Sequence, residues 1–202
     1  MEDNKKFWDK SAKLYTRVQE KSNIKLFEEI ARASRELVKD KDVLELACGS
    51  GQITGYLYQV AKTFLATDYS SNMIEEAKKR NFEKVVFEVQ DATNLTYEDD
   101  SFDVVIIANA LHIMPNKDLA IQEIKRVLKK DGILIAPTFV YQGRINYLRL
   151  FIVNLAGFKT YTKWNLKEYE EYLISKNFEI ISSNLIKASP VPEALVILRN
   201  KK

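Results

Sequence analysis

Residues 42–57 read DVLELACGSGQITGYL, and the fold is decided in these sixteen positions. An apolar strand pattern, 42–47, gives way to a small turn and then to helical spacing. Three of the chain's six glycines, Gly49, Gly51 and Gly55, fall in this turn and the helix after it. Without a Cβ, a glycine lets the backbone approach a ligand closely, and the start of the next helix offers free N–H groups. By itself the turn fits either a tight strand-to-helix corner or a nucleotide cradle.

Working outward, four more β-branched runs follow: 63–68, 84–91, 102–109 and 132–139. Segments of helical spacing separate them. Ser70 or Ser71 is expected to cap the helix beginning NMIEEA, with acids in its first turn, and Gly132 to stop the helix that ends RVLKKD. The strands are continuous apolar runs, as burial on both faces of a parallel sheet requires. The expected fold is therefore an α/β, three-layer α/β/α Rossmann-like sandwich with right-handed crossovers. At the end, 178–188 and 193–200 are strand-like and joined by SPVPE, too short for a helical crossover, so they should pair antiparallel. That makes a seven-stranded, mostly parallel sheet with a C-terminal β-hairpin. A single domain over 1–202 is expected: a helical cap at 1–40, a core at 41–139, a helical cap at 140–175 and the hairpin at 176–202.

Composition narrows the function. The chain has 202 residues with 46% hydrophobic positions, enough for one well-filled core. Lysine and arginine total 31 against 28 acids, a net charge of +3 spread along the chain, which argues against nucleic-acid binding. One cysteine, Cys48, fits a reducing, cytoplasmic setting, and no leader or membrane-spanning run is evident. One histidine with scattered carboxylates gives no metal-ligand spacing.

Ligands of such sheets bind outside the carboxyl ends of the strands. There, after the glycine turn, the second strand ends in Asp68, which can accept both hydroxyls of a ribose. The third ends in Asp91, which can accept from an exocyclic amine, with the Ala92 N–H for a ring nitrogen. The fourth puts Asn109 and His112 on the same rim. Glycine turn, ribose carboxylate, adenine carboxylate: the order describes an adenosine pocket.

These residues resemble the class I S-adenosylmethionine-dependent methyltransferases, and most closely the small-molecule branch containing the ubiquinone/menaquinone biosynthesis enzymes. VLELACGSGQIT resembles the family's first motif and ATDYSSNMIEEAKKR its second. VQDATNLTYEDDSFDVVIIANALHIMPN is similar to the third and fourth, and EIKRVLKKDGILIAPTF to the fifth. Ala47 stands where the family's first motif glycine is expected. The resemblance implies an S-adenosyl-L-methionine cofactor, with S-adenosyl-L-homocysteine as product. It implies that Glu45 orients the methionine end, that Ala47, Gly49 and Gly51 pack against the cofactor, and that Asp68 takes the ribose. Tyr69 and Met73 would flank the adenine, Asp91 and Ala92 read its edge, and Asn109 and Leu111 line the sulfonium side. The lesser alternatives are that Glu45 only caps local backbone amides at the end of the first strand, and that Asp68 only caps a helix.

His112 is a candidate base, with closing the loop before MPN as the alternative. Acceptor contacts are expected from Tyr15, Tyr141, Arg144 and Tyr147, with Trp8, Phe151 and Trp164 nearby; packing of the caps is the competing role for these aromatics. A small-molecule acceptor, no stable membrane insertion, and a monomer or homodimer are expected. Two other functions share the pattern: a nicotinamide-dependent oxidoreductase, and a catalytically silent methyltransferase-like binding protein.

Overall fold

The computed structural model describes residues 2–142, 159–188 and 191–202. Two helices, α1 (Glu2–Ser22) and α2 (Ile24–Val38), precede the sheet. The alternating part follows: β1 (Asp42–Leu46), α3 (Gln52–Leu57), β2 (Thr63–Asp68), α4 (Ser71–Lys78), β3 (Val85–Val89) and β4 (Phe102–Ile107). After a 3-10 turn at Leu111–Ile113 come α5 (Lys117–Val127), β5 (Leu128–Ile135), β6 (Thr138–Phe139), α6 (Leu166–Ser175), β7 (Phe178–Ile186) and β8 (Glu193–Asn200).

The strand order is β3-β2-β1-β4-β5-β8, with β7 on the far side of β8. β1, β2, β3, β4 and β5 run parallel, and β8 is antiparallel to β5, β6 and β7. The expected hairpin is present, with Phe178 opposite Asn200 and Ile186 opposite Glu193. The sheet has eight strands rather than seven because the run 132–139 divides in two. Pro137 has no N–H to continue a ladder, and its carbonyl accepts from Asn109 N at 2.8 Å. β6 then rejoins the same partner, β8, beyond the break.

Apolar side chains alternate across the sheet and build a core on each face. Leu44, Leu46, Val105 and Ile107 pack toward α5 and α6, against Ile121, Ile124, Tyr169 and Leu173. Val43, Val104 and Ile106 pack the other way, against Ile30, Ile53, Leu57 and Ile74 of α2, α3 and α4. This is the three-layer arrangement.

Several local expectations need correction. α5 ends at Val127, before Gly132, and the chain passes directly into β5. Gly132 lies within that strand, where a Cβ would sit 2.9 Å from Lys129 O and 3.1 Å from Asp103 O. Ser70 does cap α4, accepting from Met73 N at 3.2 Å, but the first turn holds no acid. Of the segment 140–175, the described part is helical only at Leu166–Ser175. Arg144, Tyr147 and Phe151 lie outside the described residues. Among the described residues no helix is long and apolar enough to cross a membrane.

Candidate functional site

At the carboxyl ends of β1, β2, β3 and β4 the backbone turns away from the sheet and leaves a cleft with about 910 Å³ of empty space, its open mouth included. Its wall includes Ala47, Gly49, Asp68, Tyr69, Met73, Asp91, Ala92 and Asn109, eight of the eleven residues expected to meet the cofactor. Trp8 and Tyr15 of α1 close it from above.

The glycine turn is wound by left-handed residues at every second position: Ala47 (φ 53°), Gly49 (φ 56°) and Gly51 (φ 77°). A Cβ on Gly49 would meet only Gln52 Oε1 and Tyr15 Cε1, both at 3.7 Å, so its missing side chain leaves room on the cleft side. Gly51 is different. Its absent side chain faces Ala77, Arg80 and Phe87, so it packs the turn against α4 and does not border the cleft. Ala47 holds its left-handed conformation at a cost of about 1 kcal/mol that glycine would avoid. Ala47→Gly also adds freedom to the unfolded chain, worth about 0.4–1 kcal/mol. The two effects oppose, so thermal melting of the variant should differ little from the parent.

Asp68 ties the turn to the second strand. Its carboxylate accepts from Gly49 N at 2.9 Å and from Ser70 N at 2.8 Å. Burial pushes its pKa up to about 6, although those N–H groups pull the other way. A carboxylate has about four acceptor directions, so Asp68, which lines the cleft, keeps acceptor capacity beyond these bonds. Asp91 accepts from Thr93 N (2.9 Å) and Thr93 Oγ1 (2.7 Å), both on Oδ1.

Glu45 is 2% exposed and lies beneath the turn instead of on the cleft wall. It accepts from Thr54 Oγ1 at 2.6 Å. Burial pushes its carboxyl up to about 8 against that hydrogen bond. Leu111 and His112 also turn inward. His112 is 3% exposed, pairs through Nδ1 with Thr138 Oγ1 at 3.0 Å, and is pushed down to about 4 by burial. It is a neutral core histidine behind the wall, not a base facing the cleft. Trp164 is buried against Tyr169 and Tyr172 and likewise packs the fold. Tyr141 does not line the cleft; its N donates to Trp164 O at 2.7 Å and Lys163 lies over its ring.

Sequence reasoning missed Lys5, whose ammonium lies 4.9 Å over the Tyr69 ring, and the apolar mouth formed by Ile113, Met114 and Pro115. It also missed Glu193, fully buried at the start of β8, to which Asn109 Nδ2 donates at 3.1 Å. An acid heading the run EALVILRN was the available signal. The α1 lid is tied to the start of α4 through Asp9. Ser70 Oγ donates to Asp9 Oδ1 while accepting from Met73 N, and Asn72 Nδ2 donates to Asp9 O at 2.9 Å.

Residues 44–136 match the family described as "Methyltransferase domain". The demethylmenaquinone methyltransferase of Staphylococcus aureus is 32% identical over 208 residues, spanning 93% of this chain and 85% of that enzyme. An uncharacterised chloroplastic methyltransferase of Arabidopsis thaliana is 33% identical over 138 residues, or 63% of this chain; the match spans only 38% of the plant protein. A SAM-dependent methyltransferase of Thermotoga maritima superposes with a TM-score of 0.73 at 18% identity, covering 96% of this chain and 99% of that one.

The cofactor of such enzymes is S-adenosylmethionine, and the cleft suits it on its own geometry. The carboxylates of Asp68 and Asp91 line it, Gly49 leaves space, and Asn109 Oδ1 is buried without a partner. By sequence, coverage and fold together, the chain belongs to the class I S-adenosylmethionine-dependent methyltransferases.

Proposed function

We propose that this enzyme methylates a small, largely apolar ring compound by in-line displacement. The observation that carries the acceptor class is the mouth of the cleft, where Trp8, Tyr15, Ile113, Met114 and Pro115 surround the approach to Asn109. Flat apolar walls of this kind favour a planar ligand. The name of the staphylococcal relative, a demethylmenaquinone methyltransferase, points the same way.

When bound, S-adenosylmethionine would supply an electrophilic methyl carbon: an electron pair of the acceptor forms the new bond as the C–S pair returns to sulfur, leaving S-adenosylhomocysteine, and the proton on the attacked atom passes to solvent. The chain's own residues hold and orient. Asp68 accepts the ribose hydroxyls, Tyr69 and Met73 enclose the base, and Asp91 with the Ala92 N–H reads its edge. Gly49 keeps the turn clear of the methionine portion. Glu45 supports the turn from below through Thr54. Trp8 and Tyr15 exclude water above the reacting atoms. No side chain need remove a proton before attack, since alignment supplies most of the advantage.

The enzyme would work in the cytoplasm as a monomer or homodimer. A nicotinamide cofactor suits the fold less well. The sheet closes with β8 antiparallel to β5, leaving no second parallel mononucleotide half. Screening quinols, phenols and apolar heterocycles for incorporation of labelled methyl tests the acceptor class. Turnover confined to apolar ring compounds is the expected result. Turnover only on charged, non-aromatic metabolites would overturn it.

A further inference from the structure

Asn109 ends β4 in the left-handed conformation (φ 53°) and lines the cleft, and its amide is oriented from behind by Glu193. Asn109 Nδ2 donates to Glu193 Oε1 at 3.1 Å, yet Asn109 Oδ1 and Glu193 Oε2 are both buried without a hydrogen-bond partner. Two orphaned buried acceptor oxygens on one hydrogen-bonded pair of side chains are costly. The polar groups nearby bond elsewhere: the Tyr169 hydroxyl donates to Ala136 O at 3.0 Å, and Thr138 Oγ1 pairs with His112 Nδ1 at 3.0 Å. Once Glu193 is ionised, its carboxylate and the Asn109 oxygen present a negative potential shielded from water, which suits a cation that cannot donate a hydrogen bond. The sulfonium of the methyl donor is one; the thioether of the product is not.

We propose that Asn109 and Glu193 together recognise the positive charge on the donor's sulfur, so that S-adenosylmethionine is held more tightly than S-adenosylhomocysteine and the spent product is released. Asn109 faces the ligand and Glu193 is a positioning residue acting through it. The inference rests on the reading that the cleft binds S-adenosyl compounds with sulfur near the end of β4.

The carboxyl of Glu193 is pushed up to about 8 by burial, against the Asn109 hydrogen bond. Burial therefore favours its protonated form before a ligand binds, and a cation beside Asn109 favours the ionised one. The groups shown to act on it are Asn109, at the end of β4, and Tyr169 from α6, whose phenol is raised by burial and partly by Glu193; His112, which pairs with Thr138, is pushed down to about 4 by burial alone. Glu45 titrates in the same range, and Asp68 nearby, but both serve parts of the ligand that donor and product share. Their contacts cancel in the ratio of the two affinities, and Glu45→Gln reads out what their charge leaves in it.

Calorimetric titration of the enzyme with each compound from pH 6 to 9 gives that ratio. Wild type should favour S-adenosylmethionine increasingly with pH, by about tenfold across the range. Glu193→Gln should flatten the dependence, Glu45→Gln should retain it, and Asn109→Asp, which keeps shape and backbone tolerance, should raise the preference for the donor. If both compounds bind and the ratio is insensitive to pH and to the Glu193 and Asn109 variants, this inference is wrong. If neither compound binds wild type, the methyl-donor reading fails with it.

Discussion

Asp68→Ala is expected to weaken binding of S-adenosylmethionine and S-adenosylhomocysteine alike by about 100-fold or more. Two hydrogen bonds from ribose hydroxyls to an ionised carboxylate are worth about 1.5–3 kcal/mol each, and every 1.4 kcal/mol is about a factor of ten. The substitution also strips Gly49 N and Ser70 N of their acceptor, so the turn loses its link to the second strand. Asp68→Asn keeps one acceptor oxygen and the size of the side chain. It should fall between wild type and alanine, and its thermal melt separates lost contacts from lost folding. An unchanged affinity in both variants would remove Asp68 from the site.

The second large effect is on stability. In the ligand-free enzyme, burial raises Glu45 and Glu193 to about 8 and Asp68 to about 6. A carboxyl whose folded pKa is raised gives up its proton less readily in the folded state than in the unfolded one. Its contribution is therefore fully present below the unfolded pKa, near 4–4.5, and is lost as pH rises through the folded value. Raising one pKa by 1 corresponds to about 1.4 kcal/mol, and interactions among the groups reduce the sum. Between pH 5 and 9 a loss of about 3–5 kcal/mol is expected, or a fall in Tm of about 10 °C for a chain of this size. Glu45→Gln should recover part of that fall, because a neutral amide still accepts from Thr54 Oγ1. A Tm that holds level or rises from pH 5 to 9 would contradict the buried, proton-holding carboxyls.

Much of this architecture could be read from the residues alone. The five parallel strands are continuous β-branched runs, and burial on both faces leaves no other explanation for them. The hairpin follows from a linker too short to cross the sheet. The cleft residues Asp68, Asp91 and Asn109 were legible because each ends a strand, where the fold brings all of them to one edge. What stayed hidden depends on the third dimension. Gly51 and Gly49 look equivalent in the turn, yet the left-handed winding aims one at α4 and the other at the cleft. His112 follows the right strand, but the 3-10 turn at Leu111–Ile113 buries its ring toward β6. Glu193 was missed because an acid at the start of an apolar run reads as a solvated strand end. Only the approach of β8 to the end of β4 turns it into a buried partner of Asn109. The break at Pro137 was written in the chain, but the return of β6 to the same neighbour was not.

The most direct test of the central claim is equilibrium titration of the purified protein with S-adenosylmethionine, S-adenosylhomocysteine and NAD(H) by calorimetry. Binding of one equivalent of either sulfur nucleoside, lost on Asp68→Ala and absent for NAD(H), is the predicted result. Binding of NAD(H) in their place, or of no nucleoside at millimolar concentration by a protein that melts cooperatively, would contradict it.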